Sequence, residues 1–139
     1  MTVYYVDTNI FLNVVYREQG FYENSRNFLQ KVHDGEHQAL TSSITLLEVA
    51  LDMADSDYTA LTDKAIASIE DIRNLDVVSL DKTMTKQAAT FVIKDDLTIH
   101  DAYHLATALC HKAESFVTRD EELQRKISRY IKTMTPKKV

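Results

Sequence analysis

Short apolar segments alternate along this chain with longer segments of helical periodicity. The clearest is residues 3–6, four apolar and β-prone residues that end at an acid, Asp7. A continuous apolar run without polar alternation is typical of a strand that is covered on both faces. Alternation of such strands with helices therefore predicts an α/β fold in three layers (α/β/α), with a mainly parallel sheet between two layers of helices.

The same patterns predict the individual elements. Strands are predicted at 3–6, 39–41, 77–80, 115–118 and 130–134, which makes a five-stranded sheet. Helices are predicted after Asp7 with Thr8 or Asn9 as the cap, at 21–32, from Ser43 or Thr45 to Met53, at 58–72, 83–93 and 98–111, and from Glu121. The long helical stretch between the second and third strands exceeds one crossover, so we expect an added helical hairpin.

The composition indicates one domain spanning residues 1–139. The chain has only two glycines and one proline, no linker-like segment, and 45% hydrophobic residues. Its apolar runs are far shorter than the roughly 20 residues that cross a bilayer, and its first residues do not resemble a signal peptide. A single cysteine, Cys110, cannot form an internal disulfide and is expected in the core. We therefore expect a cytoplasmic protein without a membrane partner.

The charge is distributed unevenly. The net charge is -5, yet the segment 125–139 holds six basic residues and no acid. Two interpretations stay open for that segment. It is either a phosphate-binding edge beside an acidic site, or a terminal strand whose lysines protect an exposed sheet edge.

Four acids from distant segments fall where active sites of α/β proteins form. Asp7 follows the first strand, Asp120 follows the fourth, and Glu48 and Asp101 lie near the starts of two helices. In such folds, sites form at the carboxyl ends of the strands. Clustered carboxylates repel one another unless a cation neutralises them, and hard oxygen ligands select Mg²⁺ or Mn²⁺. The sequence therefore predicts a metal site that activates water.

Local helix capping is the alternative for three of these acids. Asp101 follows Thr98 and Glu48 follows Thr45 by three residues, the spacing of a capping box, and Asp120 precedes a helix directly. Asp7 is different, because a carboxylate at the end of a buried strand is costly without a partner or a metal.

Four short motifs in this order carry a resemblance that spans essentially the whole chain. They are Val6-Asp7-Thr8-Asn9, Leu46-Leu47-Glu48-Val49, Ile99-His100-Asp101-Ala102-Tyr103-His104-Leu105-Ala106-Thr107-Ala108 and Val117-Thr118-Arg119-Asp120. The chain resembles the PIN-domain nucleases, and among them the VapC-type toxins of toxin–antitoxin pairs. That resemblance implies a parallel five-stranded sheet and endonuclease action on RNA with Mg²⁺ or Mn²⁺. It assigns the acidic positions to Asp7, Glu48, Asp101 and Asp120, with Asn9 and Thr118 as polar helpers.

Other chemistries fit the residues less well. His100 and His104 are spaced like the paired zinc ligands of a metalloprotease helix, but Asp101 is shorter than the usual Glu and no third ligand has the expected spacing. We expect His104 to pack within its helix and His100 to be exposed. An aspartyl phosphatase would want a second Asp at Asn9, and a dinucleotide-binding fold would need glycines after the first strand.

The resemblance also implies partners, namely an RNA substrate, a second copy of the chain and an inhibitory antitoxin protein. An apolar surplus near the first helices supports the homodimer: Phe11, Leu12, Val15, Tyr16, Phe21 and Tyr22. The antitoxin is expected to lay an apolar segment between the early helices and to bring a basic side chain towards the acids. The alternatives are a PIN nuclease of RNA processing or quality control, and a non-catalytic PIN domain that binds RNA or protein.

Overall fold

The computed structural model describes residues 2–139 and is built around a parallel sheet. Its five strands are β1 (Val3–Val6), β2 (Gln38–Ser42), β3 (Leu75–Val78), β4 (Ser115–Val117) and β5 (Lys132–Met134). They lie in the order β3-β2-β1-β4-β5, and each pairs in parallel with its neighbours. The carboxyl ends of all five strands therefore meet at one edge. The predicted three-layer fold is confirmed, and its sheet is wholly rather than mainly parallel.

Helices cover both faces of this sheet. They are α1 (Thr8–Val15), α2 (Tyr22–His33), α3 (Ser43–Asp55), α4 (Thr62–Glu70), α5 (Lys82–Asp95), α6 (Ile99–Cys110) and α7 (Glu121–Ile127). Short 3₁₀ turns occupy Thr59–Leu61 and Pro136–Lys138. Helices α3 and α4, which follow β2 and precede β3 in the chain, pack against each other and form the predicted helical hairpin. No helix within residues 2–139 has the length and apolar character to span a membrane.

Two hydrophobic cores explain the continuous apolar run of β1. Tyr4 and Val6 pack into the core on the face covered by α1 to α4, whereas Tyr5 packs into the core under α5 to α7. Successive side chains of a strand point to opposite faces, so a central strand covered on both sides needs apolar residues at every position.

Several element boundaries differ from the predicted ones. Strand β3 begins at Leu75, which is buried and pairs with Ala39, and it ends before Ser79. The helix predicted at 58–72 is divided into the 3₁₀ turn at Thr59–Leu61 and α4, which begins at Thr62 and ends at Glu70. Strand β5 starts only at Lys132, since the preceding residues still bond to the end of α7.

The prediction that Cys110 lies in the core is wrong. Cys110 is exposed in the last turn of α6, and its Sγ lies 3.0 Å from Oε1 of Gln87. The buried face of α6 is formed instead by Ala102, Leu105 and Ala106.

Candidate active site

Asp7 lies at the carboxyl end of β1 and is only 6% exposed. Its Oδ1 accepts a hydrogen bond from the backbone N–H of Thr8 at 2.8 Å. Its Oδ2 accepts from Oγ1 of Thr118 at 2.7 Å and from Nδ2 of Asn9 at 3.2 Å. Asp7 thus caps α1, which corrects the expectation that Thr8 or Asn9 would do so.

Glu48 reaches the same edge from α3. Its Oε1 accepts from Oγ1 of Thr8 at 2.9 Å and lies 2.5 Å from Nε2 of His104. Its Oε2 has a more distant neighbour, Nδ1 of His100 at 3.8 Å. Burial opposes ionisation of Glu48, but the contacts with His104 and Thr8 outweigh it and lower its pKa. Glu48 is therefore an ionised carboxylate with one oxygen largely free of donors.

The capping-box alternative for Glu48 is wrong. Helix α3 is capped by Ser42, whose hydroxyl accepts from the N–H of Ile44 at 3.1 Å, rather than started by Thr45. Thr45 lies inside the helix, and its hydroxyl lies 2.7 Å from that of Thr41 on β2. Glu48 is consequently free of any capping role.

The other two acids lie at the starts of helices, Asp101 in the first turn of α6 and Asp120 directly before α7. Thr98 caps α6 by accepting from the N–H of Asp101 at 3.2 Å. Asp120 is exposed and caps α7, accepting from the N–H of Leu123 at 3.0 Å. The capping alternative is thus correct for Asp120. For Asp101 only half of the predicted capping box is observed: Thr98 is the cap, but the hydrogen bonds of residues 2–139 include none from the N–H of Thr98 to the Asp101 carboxylate. Capping engages only one oxygen of Asp120.

The pKa of Asp101 depends on the other charged groups of the proposed site. Burial raises this pKa to about 6, and the negative charges of Asp7 and Asp120 add to the effect. The charge of His104 and the hydroxyl of Thr98 oppose it. Neighbouring negative charges disfavour a second ionised carboxylate, so Asp101 gives up its proton less readily than an isolated aspartate does.

Asn9 and Thr118 join the two sides of the site. The amide of Asn9 donates to Oγ1 of Thr118 at 3.1 Å as well as to Asp7, and its Oδ1 accepts from the N–H of Arg119 at 3.3 Å. Oγ1 of Thr118 also accepts from the N–H of Asp120 at 3.1 Å. These contacts tie the loop after β4 to the start of α1.

His104 is a site residue that the sequence interpretation missed. It is fully buried, and its Nε2 lies 2.5 Å from Glu48 and 3.6 Å from Asp7, while Nδ1 lies 2.5 Å from the hydroxyl of Tyr5. Burial disfavours its charged form, yet the hydrogen bond with Glu48 and the nearby acids raise its pKa. Its position one turn after Asp101 was the available signal. A zinc ligand needs a free ring nitrogen, and here both nitrogens already have protein partners.

The residues present fit a hard divalent cation. Within residues 2–139, no three acidic, histidine or cysteine side chains are gathered closely enough to form a complete metal site as they stand. The donor set is nevertheless all oxygen, and burial together with the charge of Glu48 raises the pKa of Asp7 despite its hydrogen bonds. Carboxylate oxygens are the ligands that Mg²⁺ and Mn²⁺ prefer, and Oε2 of Glu48 lies 3.8 Å from its neighbour, Nδ1 of His100, which leaves it available.

The basic segment 125–139 is partly neutralised. Nζ of Lys126 lies 3.7 Å from Glu122, and the guanidinium of Arg129 pairs with Asp95. Two of the six basic side chains are thus paired with acids of the same chain. They leave less free charge for phosphate than the sequence alone indicated.

An apolar groove of about 340 Å³ runs between α1, α2 and α4. Its apolar lining is Phe11, Val14, Val15, Leu29, Ala65, Ile69 and Ile72. Phe11 is only 1% exposed and belongs to the core, so it cannot be part of the surface surplus that was expected to support a homodimer. Helix α1 contacts the acidic site with its first residues and lines this groove with its later ones.

Comparison with known proteins identifies both a family and a set of similar structures. The family model described as "PIN domain" matches residues 4–128. No curated protein sequence matches.

Three solved structures illustrate the structural likeness. A VapBC2 complex of Rickettsia felis bound to a promoter DNA fragment has a TM-score of 0.72 at 16% identity, covering 96% of this chain and 98% of that chain. VapC20 of Mycobacterium tuberculosis, described as a sarcin-ricin loop cleaving toxin, has a TM-score of 0.73 at 13% identity, covering 88% and 93%. A toxin–antitoxin complex of Klebsiella pneumoniae has a TM-score of 0.64 at 19% identity, covering 98% of each chain. At these identities the likeness shows the fold.

Proposed function

Because the chain belongs to the PIN-domain family, we propose that it is a metal-dependent endoribonuclease and the toxin of a cytoplasmic toxin–antitoxin pair. The observation that carries this proposal is that Asp7 and Glu48 share one neighbour at the carboxyl edge of the sheet: Nε2 of His104 lies 3.6 Å from Asp7 and 2.5 Å from Glu48. The charge of Asp7 also raises the pKa of Asp101. Asp120 lies close enough to raise the pKa of Asp101. A non-catalytic domain would have no need to keep repelling carboxylates so near one another.

Asp7, Glu48 and Asp101 would hold Mg²⁺ or Mn²⁺, with Asp120 on the outer side. The bound cation would supply a polarised water and neutralise the charge that builds on the phosphodiester. Asn9 and Thr118 hold the carboxylate of Asp7 in place. Oγ1 of Thr8 lies 3.3 Å from Nε2 of His104, but both residues are buried and the Thr8 hydroxyl donates to Glu48. We therefore expect water, rather than this hydroxyl, to attack phosphorus directly and leave a 5′-phosphate.

RNA cleavage by the purified protein tests this activity. Transfer, ribosomal and messenger RNA should be offered with Mg²⁺, with Mn²⁺ and with excess chelator. We expect cutting only with metal, and none by Asp7→Asn. Asp76→Asn is the matched control, because it removes the same charge from an exposed residue of β3 that is far in sequence from the four acids of the site. Cleavage in chelator, or a 2′,3′-cyclic phosphate product, would contradict the mechanism.

The groove between α1, α2 and α4 is the proposed docking site of the antitoxin. Its walls suit an apolar segment, and α1 leads from the groove to the carboxylates. A basic side chain of that segment would be attracted to the acidic cluster and would displace the metal by supplying its charge. Affinity for the antitoxin should therefore fall when Asp7 or Asp101 is neutralised, whereas Asp76→Asn should leave it unchanged.

Growth experiments distinguish a toxin from a processing nuclease. The chain expressed alone should arrest growth, and co-expression with a small neighbouring reading frame should restore it. A protein that cleaves RNA in vitro but is harmless when expressed alone would instead belong to RNA processing or quality control.

A homodimer is proposed on a different surface from the one that the sequence indicated. Leu47, Leu51 and Ile99 are 54%, 50% and 65% exposed, and they lie beside Glu48 and Asp101 in the chain. Helices α3 and α6, which carry these side chains, contact each other, and a contiguous exposed apolar patch is typical of an interface. Sedimentation at micromolar concentration should show a dimer that Leu51→Glu dissociates. A wild-type monomer would remove this part of the proposal.

A further inference from the structure

Two fully buried residues, Tyr5 and His104, lie beside the acidic site without being among its proposed metal ligands. Tyr5 comes from β1 and His104 from α6. The Tyr5 hydroxyl lies 2.5 Å from Nδ1 of His104, and Nε2 of His104 lies 2.5 Å from Oε1 of Glu48. The three side chains therefore form one continuous hydrogen-bonded chain from the interior of the fold to the site.

The bond between Tyr5 and His104 can run in either direction. A phenol hydroxyl can donate to an unprotonated ring nitrogen or accept from a protonated one. Nδ1 of His104 can therefore be satisfied by Tyr5 in either form, and the proton of Nε2 faces the carboxylate of Glu48. Metal-bound side chains are commonly oriented in this way by hydrogen bonds from groups behind them.

This arrangement leaves the two oxygens of Glu48 unequal. Oε1 accepts a hydrogen bond from Oγ1 of Thr8 at 2.9 Å and lies 2.5 Å from Nε2 of His104. The neighbour of Oε2 is Nδ1 of His100, at the longer distance of 3.8 Å. Oε2 is therefore the oxygen that remains available for a cation.

The packing around Tyr5 makes its ring a rigid support. Tyr5 stacks on Phe116 with ring centroids 5.0 Å apart, and it contacts the imidazole of His104 edge-on at 5.6 Å. Replacing Tyr5 by Phe would keep both ring contacts and remove only the hydroxyl. The chain thus allows the hydrogen bond to be tested with little change in packing.

We propose that Tyr5 and His104 are positioning residues that hold Glu48 with Oε2 directed towards the metal. The inference rests on the proposed metal-dependent function and adds two residues to it. Loss of such an indirect partner typically costs roughly 10–100-fold in metal affinity or activity. That range sets the effect to expect from removing either link.

The first test compares Tyr5→Phe with Tyr103→Phe. Tyr103 lies on the same helix as His104, and its hydroxyl contacts Thr85 at 3.0 Å outside the site, so it is the matched control. Calorimetric titration with Mn²⁺ should show an affinity about 10-fold lower for Tyr5→Phe and unchanged for Tyr103→Phe. The KM for RNA at saturating Mn²⁺ should stay near the wild-type value in both variants.

The second test uses two substitutions of His104. His104→Gln keeps an N–H donor that can reach Glu48, whereas His104→Leu keeps bulk but no donor. Mn²⁺ affinity should fall in the order wild type, Gln, Leu, even where thermal stability ranks the variants differently. Nitrogen-15 NMR of the metal-free protein should show a slowly exchanging Nε2–H of His104 whose resonance shifts in Tyr5→Phe.

The outcomes separate this inference from the proposed function. If wild type neither binds Mn²⁺ nor cuts RNA, the proposed function fails. If wild type does both, and Tyr5→Phe binds Mn²⁺ with the same affinity as Tyr103→Phe, the positioning role of Tyr5 is overturned. If Mn²⁺ affinity simply follows thermal stability across the His104 variants, with Gln no better than Leu, the role of His104 is merely structural.

Discussion

The inner and outer halves of the acidic site are held by different means. The inner pair, Asp7 and Glu48, is fixed by side chains from several other elements: Thr118 and Asn9 for Asp7, and Thr8 and His104 for Glu48. The outer pair, Asp101 and Asp120, lies in or before the first turns of α6 and α7, where the N-termini of helices stabilise negative charge.

From this difference we infer a division of roles in the proposed metal site. A carboxylate with several fixed donors cannot turn away from a ligand, so the inner pair would present preorganised oxygens. A carboxylate at a helix start is held at fewer points, and it can adjust when a cation or a phosphate enters. Replacements in the inner pair should therefore cost more than replacements in the outer pair.

The largest effect is expected for Asp7→Asn. The substitution removes the buried charge while nearly conserving shape, so kcat/KM for RNA should fall by more than the roughly 100-fold typical of losing an indirect metal partner. Single-turnover cleavage at saturating Mn²⁺ measures the loss. Retention of a tenth of wild-type activity would show that the inner pair is not the main ligand set.

A smaller effect is expected from pH on metal binding through Asp101. Its pKa is raised to about 6, so a proton competes with the cation, and Mn²⁺ affinity should fall as the pH drops through 6. In Asp101→Asn the overall affinity should be lower and this step should disappear. Calorimetry between pH 5 and 8 would measure it, and an identical pH profile in the variant would assign the step to another group.

The metal-free stability should show the opposite sign. The pKa of Asp101 is higher in the folded state than in the unfolded state, so between these two pKa values the folded state binds more protons. The free energy of unfolding therefore falls as the pH rises from the usual pKa of an aspartate to about 6. At pH 8 with chelator, Asp101→Asn should therefore unfold at a higher temperature than wild type. A lower unfolding temperature would mean that contacts of the carboxylate outweigh its repulsion from Asp7 and Asp120.

The smallest effect is expected for Asp120→Asn. Asp120 is exposed, and asparagine is nearly as good a helix cap, so α7 should remain stable. Activity should fall by no more than about 10-fold, below the effect of losing a preorganised ligand. If Asp120→Asn is as damaging as Asp7→Asn in the same assay, the inner and outer halves do not differ in role.

Much of this fold was predictable because local chemistry and tertiary structure agree. The apolar run of β1 can only be a strand covered on both faces, and the acid that ends it falls at the edge where parallel strands place their sites. Thr98 and Asp120 were recognisable as caps from their position before a helix. The motifs around Asp7, Glu48, Asp101 and Asp120 indicated the PIN domain that the family model then matched.

Other features depended on which face of an element meets a neighbour. Cys110 belongs to an apolar helix, but the packing of α6 leaves its last turn exposed. Phe11 seemed available for a dimer, yet the core under α1 buries it. The first residues of β3 were missed because the mixed pattern at Leu75 and Asp76 does not look like a strand until it pairs with β2.

Short-range periodicity and the positions of the strand ends are enough to predict the order of the elements, the parallel sheet and the acids that follow its strands. Tertiary packing was needed to show that His104 turns towards Glu48, that Tyr5 contacts it from β1, and that Thr8 contacts both Glu48 and His104. Those contacts link residues 40 to 99 positions apart in the chain through hydrogen bonds between side chains. Helical spacing reveals which residues share a face, but only the packed neighbours determine what that face touches.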